Sequence, residues 1–358
     1  MKKMIKLSLV AAVAVAGLTT TASAGNLADM IQGVQTNGYV RYRNTDTDSD
    51  TVGKDTNKDE YKIVLNNVIK VNDDVKANLK FVNTGEAFKV IHANFKYTKS
   101  AVSLTAGAQA YGIAFTNDAA GTGAKLQGKV GPATLIAAGF SAGENDSTTN
   151  ATAYAAIVPV GPATITAMFA TAEEGSGDAE IQDGQLDKGD YTYLNAKAKV
   201  ANVALSATMV GFDPEKTNTD QNDVSLSFLT ASTKVAGFGI TLGYAQSGKD
   251  GGNIAIADGG AGDRTASQFT LIQANAGALD DATTTLVKVS KKVGPVALTI
   301  GQASTDAKAA NKDQTETIIK AVYAMSKNFK VVSWVSSLDK DAANADNTKT
   351  RLELKYTF

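Results

Sequence analysis

Apolar and polar residues alternate with a period of two along most of this chain. In "VKANLKFV", Val75, Ala77, Leu79 and Phe81 take one side while Lys76, Asn78 and Lys80 take the other. "IHANFKYT" repeats the scheme, with Ile91, Ala93, Phe95 and Tyr97 against His92, Asn94 and Lys96. Successive strand side chains point to opposite faces, so each stretch predicts a strand with one greasy and one wet face. The last eight residues, "RLELKYTF", set Leu352, Leu354, Tyr356 and Phe358 against Arg351, Glu353 and Lys355. Sustained helical spacing is almost absent.

The connections between strands fall into two kinds. Eight are short, namely "VNDDV", "TKSAV", "KVGPAT", "VPVGPAT", "KVANVA", "KVAGFG", "KKVGPVA" and "MSKNFKV", and carry the residues that tight turns require. Long polar ones such as "TDTDSDTVGKDTNKD", "AGENDSTTN" and "STDAKAANKDQ" alternate with them, and only the one around "NTGEA" is brief. Short periplasmic turns on one rim and long extracellular loops on the other are the layout of an outer-membrane barrel, and a soluble sandwich has no reason to show it. The motif V-G-P-[AV], at 130–133, 160–163 and 293–296, opens a strand each time; its Pro is expected as the strand's first residue, where no ladder donor is needed.

Counting gives the fold class. Eight hairpins supply sixteen strands, and "NGYVRYRN" and "RLELKYTF" add two that pair with each other to close the ring. An open edge cannot face lipid. The expectation is therefore an all-β, transmembrane antiparallel β-barrel of eighteen strands, with sixteen as the alternative. "SQFTLIQANA", residues 267–276, also reads as a strand but would break the even count, so it is assigned to a long loop. That loop, 247–281, is expected to constrict the pore or to latch onto a neighbouring barrel, since "GGNIAIADGGAG" is apolar where a surface loop should be polar.

If the greasy face meets lipid, the other lines a lumen. The inward candidates are Arg41, Arg43, Lys62, Lys76, Lys80, His92, Lys96, Lys197, Lys199, Lys288, Lys292, Lys320, Arg351, Glu353 and Lys355, giving a basic wall beneath acidic loops. As a set they are expected to act in conduction, because barrels this wide leave a water channel unless plugged. Tyr39, Tyr61, Tyr97, Tyr154, Tyr191, Tyr244, Tyr323 and Tyr356 sit near strand ends and are expected in aromatic girdles on the lipid face, with Trp334 as the single tryptophan.

The N-terminus adds a compartment. Lys2, Lys3 and Lys6 precede an apolar run from Leu7 to Leu18 and then Ala22-Ser23-Ala24, the layout of a cleaved signal peptide over residues 1–24. Residues 25–358 then form one barrel, in which 25–34 is a short periplasmic segment. With no Cys, a single His and a formal net charge of −1, the composition excludes thiolate and multi-histidine metal sites and favours no nucleic-acid partner. His92 is the only residue around which a serine-hydrolase site could be built, and no G-x-S-x-G lies near it, so no catalytic residue and no cofactor is expected. The acidic clusters (Asp46, Asp48, Asp50, Asp55 and Asp59; Glu173, Glu174, Asp178, Glu180 and Asp183) are read as solvated surface charge, with bridging Ca²⁺ as the minority reading.

The start of the mature chain, "LADMIQGVQTNGYVRYRN", together with the terminal "LELKYTF", resembles the major outer membrane porins of Campylobacter and related epsilonproteobacteria. The resemblance implies an eighteen-stranded, trimeric, cation-preferring general porin with a loop-narrowed pore and, in some members, bound calcium. It also implies that Tyr356 and Phe358 belong to the C-terminal strand by which such barrels are recognised for assembly. The expected function is passage of ions and small hydrophilic solutes across the cell outer membrane. The alternative is a barrel used mainly as an adhesin through its acidic loops.

Overall fold

The computed structural model describes residues 34–51, 54–85, 87–110, 120–142, 150–173, 188–214, 223–251, 271–273, 279–309, 312–341 and 345–358. The expected signal peptide, the 25–33 segment and Glu174–Asp183 lie outside the described residues. The strands are β1 (Val34–Ser49), β2 (Thr56–Lys70), β3 (Val75–Asn83), β4 (Lys89–Lys99), β5 (Val102–Ala110), β6 (Ala120–Val130), β7 (Ala133–Ala142), β8 (Asn150–Val160) and β9 (Ala163–Glu173). They continue with β10 (Gly189–Val200), β11 (Val203–Pro214), β12 (Val224–Val235), β13 (Phe238–Ser247), β14 (Ala282–Val293), β15 (Val296–Ala307), β16 (Gln314–Ala324), β17 (Phe329–Lys340) and β18 (Asn347–Thr357).

Each strand pairs antiparallel with its neighbours in sequence, and β1 also pairs with β18 from Tyr39 opposite Thr357 to Ser49 opposite Asn347. The sheet of eighteen strands is therefore closed. Below that register the ring is sealed by reciprocal backbone bonds, Gly38 N–H to the Phe358 carbonyl at 3.0 Å and Phe358 N–H to the Gly38 carbonyl at 3.1 Å. Backbone pairing thus covers the seam from Gly38 to Ser49, and a membrane barrel requires such closure. Among the described residues no helix is long and apolar enough to cross a membrane.

All eight short connections lie at one end, together with the start of β1 and the end of β18. Three of them are two-residue Gly-Pro turns in which Gly131, Gly161 and Gly294 have φ of 58°, 57° and 59°. A first turn residue at positive φ, followed by a residue near −65°, is the mirror-type geometry that matches strand twist; Gly supplies the first angle and Pro the second. The Pro thus sits in the turn, one residue ahead of the strand position expected for it, because Ala133, Ala163 and Val296 are the first paired residues.

Parity holds around the ring. Val40, Tyr61, Leu126, Leu135, Tyr154, Phe169, Leu229, Leu242, Ile300, Ile319 and Leu352 are all exposed on the outer face. A belt of large apolar side chains open to the surroundings is what hydrocarbon covers in an outer-membrane barrel. Of the 267–276 segment, Leu271, Ile272 and Gln273 are described and form bends rather than a strand; the rest lies outside the described residues, as does all of 252–262.

Candidate functional site: the barrel lumen

The inner wall is built from the other parity, and its charges cluster where β17, β18, β1 and β2 meet. Arg41 stands opposite Lys355 on one side and Lys62 on the other, and Lys355 stands opposite Lys330. One step toward the long loops, Arg43 lies between Glu353 and Glu60. Its Nε donates to Glu353 Oε2 at 2.5 Å, a charge-assisted bond with both partners largely shielded. A further step up, Arg351 donates to Thr45 Oγ1 at 3.0 Å and lies 5.0 Å from the centre of the Trp334 ring.

The neighbouring wall continues the pattern. Lys70, Lys76, Lys96, Thr105 and Lys125 are cross-strand partners in turn along β2 to β6, and Lys80 faces His92 across a bulge between Lys80 and Phe81. Lys197 and Lys199 share their face of β10 with Asn195 and Tyr191, and Lys288 and Lys292 share theirs with Leu286 on β14. Lys320 lies opposite Trp334. Every position expected to point inward has this parity.

Two of the expected girdle tyrosines do not. Tyr39 is on the lumen face, with the Lys355 ammonium 3.9 Å from its ring centre. Tyr191 is 1% exposed on the inner wall, its ring centre 4.5 Å from that of Phe212. Trp334 is also inside. Nearness to a strand end was the only cue, and it carries no parity: Tyr39 is two residues from Arg41, so the two must share a face. Tyr61, Tyr97, Tyr154, Tyr244, Tyr323 and Tyr356 are exposed on the outer face.

The connection between β13 and β14 reaches into this lumen. The Ile272 and Gln273 amides donate to the two carboxylate oxygens of Glu316 at 2.8 and 2.9 Å, and Ser336 Oγ donates to Glu316 Oε1 at 2.6 Å. Gln273 Nε2 in turn donates to Ser336 Oγ at 3.0 Å. Glu316 is fully buried, and a buried carboxylate is tolerable when its lone pairs are filled by donors such as these. Leu271, next in the chain, packs against a cluster of buried inner-wall residues that includes Ala153, Met168, Tyr191, Phe212, Phe228, Leu286 and Ala303. Gly301 leaves room for it: a Cβ there would stand 2.9 Å from Lys288 Cγ and 3.1 Å from Leu271 Cδ2.

At its base the connection is clamped by Ser247, whose hydroxyl donates to the Leu279 carbonyl at 2.6 Å and accepts from the Ala282 amide at 3.0 Å. Beside it Lys308 Nζ meets Asp281 Oδ2 at 2.6 Å, and that hydrogen bond and charge hold the Lys308 ammonium above the usual lysine range. Glu60, Lys125, Lys330 and Glu316 are lumen residues that the reading of the chain did not single out. Parity could have found Glu316, four residues from Lys320, and Glu60, two from Lys62. Among the described residues no group of three or more His, Asp or Glu is disposed to hold a metal ion.

A closed, eighteen-stranded barrel with an apolar outside, a charged inside and a loop seated in the lumen defines the class: this chain is an outer-membrane porin. Residues 1–157 match the family model of the Campylobacter major outer membrane protein. No curated protein matches the chain in sequence. Among solved structures, Pseudomonas aeruginosa OpdO aligns at a TM-score of 0.74 and 14% identity, over 93% of this chain and 99% of its own. P. aeruginosa OpdK, solved with vanillate, gives 0.72 and 14% over 91% and 99%. P. aeruginosa OccK2 (OpdF), solved in complex with glucuronate, gives 0.70 and 13% over 91% and 98%. At that identity the likeness is one of fold.

Proposed function

We propose that the protein is a general diffusion porin that passes ions and small hydrophilic solutes through a water-filled lumen narrowed by the 248–281 connection, with no chemistry done on the solute. The seat of Ile272 and Gln273 on Glu316 carries this reading, because it anchors a stretch of the β13–β14 connection on the inner wall. Charges lining a pore set which ions enter it, so the inward Arg, Lys and Glu residues are the selectivity-determining set. The working unit is a homotrimer in the outer membrane. Refolded protein in planar bilayers should insert as stable channels in three equal conductance steps. Folded barrel that inserts without conducting would sink the proposal.

A further inference from the structure

We infer that a groove on the outer face of β5 to β9 docks one anionic glycerophospholipid of the periplasmic leaflet, with an acyl chain in the groove and the phosphate on Lys99. The inference goes beyond the porin reading, because it concerns the face turned away from the lumen. The register lays the groove out. Lys99, Val102, Gly128, Leu135, Ala156 and Ala167 are successive cross-strand partners on β4 to β9, so they form one row on one face. That face is the outer one, because Lys99 shares the parity of the exposed Phe95 and Tyr97.

Small residues make the floor, namely Gly128, Ala137, Ala156 and Ala167, and the exposed Leu126, Leu135, Tyr154 and Phe169 rise on either side. The space between them is 720 Å³. A Cβ on Gly128 would meet only Val102 Cγ2, at 3.8 Å, so the wall itself has room for a side chain there and the gap is open to the outside. A second barrel fits this groove poorly, because two convex walls meet on their ridges. A thin, flexible hydrocarbon chain reaches the floor.

The row also leaves the periplasmic rim as it runs. Lys99 ends β4 and Val102 opens β5 at a short turn, whereas Ala167 lies four residues past Ala163 at the start of β9, roughly 13 Å along the strand. A lipid of that leaflet has the same layout, with its headgroup at the rim and its chains running toward the midplane. Lys99 is exposed, and its ammonium has no hydrogen-bonding or ion-pair partner among the described residues. A lysine at the membrane interface attracts anionic headgroups, so charge selects the lipid and the groove holds its chain.

Native mass spectrometry of the detergent-refolded barrel, titrated with dipalmitoyl phosphatidylglycerol, dipalmitoyl phosphatidylcholine or inorganic phosphate, tests this. One phosphatidylglycerol per barrel should be retained, phosphatidylcholine should bind more weakly, and phosphate should not bind. Ala156→Leu, which fills the floor, should abolish the lipid adduct. Lys99→Gln should weaken phosphatidylglycerol about fivefold, the effect of one basic residue on an anionic lipid, and leave phosphatidylcholine unchanged. Lys291→Gln, on the outer face of β14 opposite Phe238, should change neither. Heat-modifiable gel mobility shows which variants fold, and if Ala156→Leu does not, Lys99→Gln decides. Wild-type lipid binding in the folded variants, or phosphatidylcholine bound as tightly as phosphatidylglycerol, would overturn the site. Loss of the oligomer's mass in Ala156→Leu with lipid binding intact would give the groove to a second copy and overturn the site as well. Lipid binding without channel activity in bilayers would support the site and overturn the porin reading instead.

Discussion

The two halves of the inner wall use the same strand geometry for opposite ends. Along β17, β18, β1 and β2 the inward positions carry Lys330, Lys355, Arg41, Arg43, Lys62 and Arg351, of which Lys330 is exposed and the rest are half-buried. Toward the long-loop ends of β8 to β15 the inward positions carry Ala153, Met168, Tyr191, Phe212, Phe228, Leu286 and Ala303, all buried, with Leu271 packed against them. A barrel's inside is therefore not wet by default. It is wet where side chains are charged, and dry where a segment of chain lies on small apolar residues and is anchored by a polar latch.

The largest effect on this contrast should come from Glu316→Ala. It leaves the Ile272 and Gln273 amides and the Ser336 hydroxyl without their acceptor, and a charged hydrogen-bonding partner is worth about 1.5–3 kcal/mol. Single-channel conductance and current noise should both rise, while Glu316→Gln should show a smaller rise. A conductance equal to wild type would detach the loop from the account. Removing Phe358 deletes its reciprocal backbone pair with Gly38 and should lower the yield of heat-modifiable barrel severalfold, leaving the conductance of barrels that do form nearly unchanged. Defective conductance at normal yield would contradict that assignment.

Gly301→Val sharpens the dry side, because it pushes into Leu271 and Lys288. Overpacking of this kind costs about 1–3 kcal/mol, and it should raise current noise without altering fold by circular dichroism. Ala201 is held at φ 52° in the turn between β10 and β11, where glycine is at ease. Ala201→Gly should accordingly raise the unfolding free energy by about 1 kcal/mol in urea titrations, with conductance unmoved. The smallest effect lies at Asp281–Lys308. The Lys308 ammonium is raised in the folded state, so its contribution is present below the ordinary lysine pKa and lost as pH climbs through the higher folded value. A slight fall of the melting temperature at alkaline pH, abolished by Asp281→Asn, is expected.

Which parts of this were legible in the chain follows from where the pattern is strong. "RLELKYTF" and "VKANLKFV" alternate large apolar with charged residues, and there strand, face and register could all be read. The closing pair of β1 with β18 followed from the two strands that the eight short turns leave over, because an open edge cannot face lipid. The dry wall hid itself: in "ATAYAAIVPV" Ala occupies both faces, so parity gives little contrast, whereas Lys125, which shares a face with Gln127 and Lys129 against Ala124 and Leu126, was legible. Tyr39 and Tyr191 went to the wrong face because position along a strand was used where parity was needed. The loop's seat on Glu316 joins residues 44 apart, and no local spacing encodes it.

Liposome swelling with neutral sugars of graded size tests the central claim most directly, because it reads passage of solutes through water rather than charge alone. Uptake should be fast for the smallest sugars and fall steeply with size, and Glu316→Ala should shift that fall to larger solutes. Liposomes that hold folded barrel yet fail to swell in any sugar would contradict the open, loop-narrowed pore.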